Sequence, residues 1–181
     1  GLSPGTTGVY DFIRRDPESD WYDFTYVDSS AYQGRAVWDY LGEADVPVGV
    51  VDYPTLSPPY EVNGFMLTGG LGSSETRAYP AALQDRLDDL PDVAPHLDIG
   101  DDRYRDLDVF VDEVGANLSA RASRLLTVLE GREWEFCWAV LQEPDWVQHL
   151  LWKCFDESHP EADGVTEAKR QLFVDFWREV D

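Results

Sequence analysis

The chain has 181 residues, 36 of them Asp or Glu and 14 Lys or Arg, giving a formal net charge of −22. Hydrophobic residues make up 43%, which is enough for a sizeable core and excludes wholesale disorder. No basic patch is available to neutralise phosphates, so direct DNA or RNA binding is excluded by charge, and no apolar run reaches the roughly 20 residues of a membrane span.

The acids are scattered along the chain, and only Lys153 and Lys169 are lysines. An acidic surface in which Arg replaces Lys suits molar salt, where the Debye length falls to about 3 Å and self-repulsion is screened. The expectation is a halophile's cytoplasmic protein. Cys137 and Cys154 are expected as free thiols of a reducing compartment.

In chain order, the first landmark is the Gly1-Leu-Ser-Pro-Gly-Thr-Thr-Gly-Val-Tyr-Asp-Phe12 run. Residues 31–44 then predict a short helix with Val37, Trp38 and Leu41 inward and Ser29 or Ser30 as cap. Residues 46–51 predict a β-branched strand, and the α-then-β step is typical of a parallel sheet. Residues 53–76 are rich in Pro and Gly and read as an excursion from the sheet. Within them, Thr68-Gly-Gly-Leu-Gly-Ser-Ser74 lacks the Gly-Lys-Ser/Thr ending of a P-loop and reads as a loop.

Residues 104–130 predict the clearest helix. Leu107, Val111, Val114, Leu118, Ala122, Leu125 and Leu129 form one apolar face, and Gly131 terminates it. Asn117-Leu118-Ser119 lies inside that helix and matches a glycosylation acceptor only by chance. Residues 134–141 carry one charge and predict a strand covered on both faces.

Pro144 fits the first turn of a helix that follows. Asp145 and His149 then share one helical face, where a carboxylate oxygen and an imidazole nitrogen can converge on a cation. The alternative is a helix-start acid beside a packing histidine. His159 is a further candidate near metal or substrate, or a plain turn residue, and His96 reads as exposed. Residues 165–180 predict a last helix burying Leu172, Phe173, Phe176 and Val180.

The Glu143-Pro144-Asp145-x-x-x-His149 run resembles the metal-binding segment of the type I phosphodiesterase/nucleotide pyrophosphatase family, in the alkaline phosphatase superfamily. The 1–12 run, Val37-Trp-Asp-Tyr-Leu41, Pro47-Val-Gly-Val-Val-Asp-Tyr-Pro54 and Pro58-Pro-Tyr-Glu-Val-Asn-Gly64 resemble successive landmarks of its microbial branch.

The resemblance implies part of an α/β/α sandwich with a mostly parallel sheet. Residues 1–181 would be one partial domain, and 53–104 an irregular cap or insertion. It also implies hydrolysis of phosphate esters with a Thr nucleophile and two divalent metals, zinc or manganese. Asp145 and His149 match two of the three protein ligands of one metal. The third ligand, the nucleophile and the second metal's ligands have no match here, so no catalytic residue is assigned and the chain alone is expected to be inactive. Nucleotide pyrophosphatases carry a phosphate-holding Asn where this chain has Asp11 and Phe12. Asp11, Asn63 and His159 are the residues expected near the substrate or metal. A second copy covering an exposed sheet edge is a candidate partner. The competing expectation is a noncatalytic acidic interaction module.

Overall fold

The computed structural model describes residues 2–16, 18–19, 23–73 and 75–181. Gly1 and Ser74, which end two of the motifs above, lie outside these. In chain order the elements are α1 (Pro4–Thr7), β1 (Ile13–Arg15), β2 (Phe24–Tyr26), α2 (Val37–Glu43), β3 (Val48–Val51), β4 (Gly64–Thr68), β5 (Arg77–Tyr79), α3 (Gln84–Leu87), α4 (Leu107–Leu129), β6 (Phe136–Ala139), α5 (Glu143–Phe155) and α6 (Glu167–Val180). Strands β5, β4, β3 and β6 form one sheet in that order; β3 is parallel to β4 and β6, and β5 is antiparallel. This is the mixed α/β class with a mostly parallel sheet expected from the sequence, and it is consistent with an alkaline-phosphatase-like fold. No helix among the described residues is long and apolar enough to cross a membrane.

The chain divides into two compact units, with boundaries after Pro95, inside α4 after Ser123, and after Val140. The sheet unit comprises the residues up to Pro95 and Arg124–Val140. Its central strand β3 is buried throughout. Alternation places Val48, Val50 and Met66 in one cluster with Trp38, and Val51, Phe65 and Leu67 in another with Leu83, Leu87 and Val128. Gly64 is required where β4 begins beside β3. Its φ is 144°, and a Cβ there would lie 2.0 Å from the Val48 carbonyl oxygen.

Three expectations are corrected in this unit. The 53–76 stretch is not wholly outside the sheet, because Gly64–Thr68 forms β4; its five residues suffice for a strand, and the surrounding Pro and Gly residues hid it. The 134–141 strand is shorter and lies at a sheet edge, with Trp138 43% exposed, so it is not covered on both faces. Its apolar run serves ring packing instead, since Trp138 meets Trp38 edge-on at 6.4 Å and Tyr53 at 6.0 Å.

The 31–44 helix is also broken. Ser29–Ala31 is a 3-10 turn capped by Asp28, which accepts from Ser30 N–H at 2.9 Å. Helix α2 starts at Val37, where Asp39 closes back on the Ala36 N–H at 2.7 Å. Neither serine caps it, and Val37 is exposed.

The helical unit comprises His96–Ser123 and Leu141–Asp181. Phe110, Val114 and Leu118 of α4 pack with Val147 and Leu151 of α5 and Phe173 and Phe176 of α6. The three- and four-residue spacing of apolar residues read from the sequence supplies these faces. Helix α4 gives way to Gly131 at φ 69°, and Thr166 caps α6 by accepting from Lys169 N–H at 3.4 Å.

Candidate functional site

Helix α5 starts with Glu143, Pro144 and Asp145. Proline is tolerated there because first-turn N–H groups have no intrahelical partner. One turn later His149 faces the same way, with its Nε2 3.6 Å from Asp145 Oδ1. The side chains are 61% and 70% exposed for His149 and Asp145. They border an open depression of about 270 Å³ with Gln148 and Trp152. Two donors held at zinc-like bond lengths by one tetrahedral ion would be about 3.4 Å apart, so this pair fits two positions around a cation.

Behind the pair, Glu143 is fully buried. Its Oε1 accepts from Asn117 Nδ2 at 2.7 Å and from Arg121 Nε at 2.8 Å, both on α4. The Arg121 side chain is 1% exposed. Sequence reading missed this group because it counted only apolar positions on α4. The available signal was that Asn117 and Arg121 follow Val114 at helical spacing.

The other predicted residues make hydrogen bonds of their own. His159 is half-buried in a turn after α5, where its Nδ1 accepts from Glu161 N–H at 3.1 Å. Asp11 and Asn63 belong to the sheet unit. Asp11 is exposed and accepts from its neighbour Phe12 N–H at 2.6 Å. Asn63 is exposed at the amino ends of β3 and β4, where its carbonyl accepts from Val48 N–H. Open α/β sheets bind ligands at the opposite, carboxyl ends.

At those carboxyl ends the sheet unit holds features that no candidate included. Asp52 is buried immediately after β3. Asp52 and Thr55 have φ of 54° and 63°, a region costly for a β-branched Thr and one where functional sites store strain. Thr55 Oγ1 is 2.5 Å from Tyr32 Oη. The legible signal was an acid directly after the all-apolar Val48–Val51 strand.

The sheet unit also contains a cavity of about 480 Å³ lined by Tyr32, Trp38, Tyr53 and Tyr60, with Arg35 and Asp39. Trp38 Nε1 donates to Tyr60 Oη at 2.6 Å. Burial pushes the Tyr60 hydroxyl up to about 12.

Among the described residues, no three His, Cys, Asp or Glu side chains come together as a group able to hold a metal ion. Asp145 and His149 therefore fit a metal as a partial donor set. Both thiols are free, and burial raises the pKa of each.

No curated protein and no solved structure matches the chain. A family model described as type I phosphodiesterase / nucleotide pyrophosphatase matches residues 1–172. That match covers nearly the whole sequence, and the chain belongs to the type I phosphodiesterase/nucleotide pyrophosphatase family of hydrolases.

Proposed function

We propose that the chain is the central part of a metal-dependent phosphoric ester hydrolase, in which Asp145 and His149 are two protein ligands of one divalent ion, zinc or manganese. The observation that carries this reading is the 3.6 Å approach of two exposed donors on one helical face, inside the family's Glu-Pro-Asp-x-x-x-His run. Divalent ions, when bound, offset the charge of phosphoryl oxygens. Asp145 would supply negative charge and oxygen donors, and His149 a nitrogen donor at Nε2.

The Thr nucleophile, the third ligand and the second ion's ligands are assigned to sequence outside these 181 residues. On this reading the chain alone turns over negligibly, since no covalent phosphoenzyme forms without the nucleophile. Residues 1–181 are then one partial domain, with the segments of 53–104 outside β4 and β5 as its cap. The microbial, halophilic and cytoplasmic assignments belong to the same proposal and are supported by the charge of −22 and the two free thiols.

The test is hydrolysis of bis(p-nitrophenyl) phosphate in molar potassium chloride with zinc or manganese. It compares this chain with a longer version carrying its native flanks. Activity in the longer protein that Asp145→Asn reduces at least 100-fold is the expected result. Activity and metal content unchanged by Asp145→Asn would sink the ligand assignment. Inactivity of both proteins with metals supplied would favour the noncatalytic module.

A further inference from the structure

Glu143 stands two residues before Asp145, and its burial is unusual for a carboxylate. Taking this group out of water is costly, and a buried ion pair is seldom more stable than an apolar pair of the same volume. The cost is only partly offset here, because Glu143 Oε2 makes no hydrogen bond. Helices α4 and α5 otherwise bury apolar residues, among them Val114, Leu118 and Val147, so an apolar side chain at this position suits the same core. Stability therefore gives no reason for the cluster.

Position does give one. The N-cap of α5, Gln142, provides no side-chain capping bond, and Pro144 has no N–H to offer. Trp146 and Val147 of the first turns pack into the apolar core, and apolar contacts tolerate sliding and rotation. Asn117 and Arg121 stand one turn apart on α4 and grip the same carboxylate oxygen from two directions. An α-helix advances about 1.5 Å and turns about 100° per residue, so pinning Glu143 fixes both the height and the rotation of Asp145 and His149.

We propose that Glu143, clamped by Asn117 and Arg121, is a positioning residue that holds Asp145 and His149 in register to share one divalent cation, without itself touching the ion. The inference rests on the metal-ligand reading of that pair.

The experiment is a Zn²⁺ titration of the full chain, followed by the ¹⁵N shifts of the His149 imidazole, with thermal unfolding of each protein measured alongside. Replacing both members of the ion pair, Arg121→Met with Glu143→Met, is expected to leave the unfolding temperature close to that of the parent. Zn²⁺ affinity at His149 should fall about 10- to 100-fold, the range seen when groups supporting metal ligands are removed. Parent-like affinity in the folded double variant overturns the positioning role.

Glu143→Gln keeps the side chain's shape and serves if the double variant does not fold; a loss of affinity supports the proposal and unchanged affinity again overturns it. Asp145→Asn separates the two claims. If it binds Zn²⁺ like the parent, the metal reading fails and the positioning role falls with it. If Asp145→Asn loses binding while the double variant keeps it, only the positioning role fails.

Discussion

In the sheet unit the most completely buried side chains are apolar, with Val48, Met66, Leu83 and Leu87 at 0% exposure, and buried Asp52, Thr55 and Thr68 gather at the carboxyl ends of β3 and β4. In the helical unit Arg121 and Glu143 are buried as deeply as Phe110 and Val114, in the middle of the packing rather than at its margin. An apolar core specifies shape through volume and tolerates hydrophobic exchange if volume is kept. A charged pair inside a core specifies which atoms must meet. The sheet unit can thus be disrupted by crowding a backbone contact, and the helical unit by separating two partners.

The largest expected effect is Gly64→Ala, since the new Cβ would overlap the Val48 carbonyl. A loss on the order of 4 kcal/mol or more is expected in denaturant titration, with little soluble protein. Parent-like stability would mean that β3 and β4 do not run in the described register.

Next is Arg121→Met alone, at about 3–5 kcal/mol, because it leaves the buried Glu143 charge uncompensated. Adding Glu143→Met should return stability to within about 1 kcal/mol of the parent. Met66→Ala in the sheet core should cost about 2–5 kcal/mol, and no second polar-to-apolar change should rescue it. If the double Met variant is no more stable than the single one, the contrast between the units fails.

A smaller effect concerns tyrosine. Burial raises Tyr60 in the sheet unit and Tyr104 in the helical unit to about 12. Unfolded tyrosine ionises near 10, so the folded state holds these protons more tightly. Their contribution to stability is complete below about pH 10 and is lost as pH rises from there through 12. Tyr60→Phe should cost about 1–2 kcal/mol at neutral pH, because Trp38 Nε1 loses its acceptor. It should also flatten the alkaline loss of stability measured by urea unfolding at several pH values. The smallest effect is Thr166→Ala, about 0.5–1 kcal/mol, given the long 3.4 Å capping bond at α6.

Much of the helical unit was legible in the sequence because its period is long and its signals are strong: Val114 and Leu118 four apart on α4, Pro144 in the first turn of α5, and Phe173 and Phe176 three apart on α6. The 48–51 strand was legible from its valines. Strand β4 was not, since five apolar residues between Pro59 and Gly69 carry too little periodicity to stand out from loop. The edge position of β6 was illegible for a different reason: strand order depends on pairings distant in sequence. That Asp145 and His149 share one helical face could be read from their spacing, whereas a metal role for them was implied only by the family resemblance. The Glu143 cluster could not be read, because an apolar stripe treats Asn117 and Arg121 as outward residues and nothing local reveals that a carboxylate 22 positions after Arg121 meets them.

The Trp38–Trp138 contact gives the molecule an optical signature. Two indole rings with centroids 6.4 Å apart, inclined by 74°, have coupled electronic transitions, and such a pair produces a circular-dichroism couplet that a lone indole does not. One ring belongs to α2 and the other to β6, so the couplet exists only while the edge strand and that helix keep their mutual orientation. Its amplitude would follow the seating of β6 in real time, without a label and independently of the far-ultraviolet helix signal.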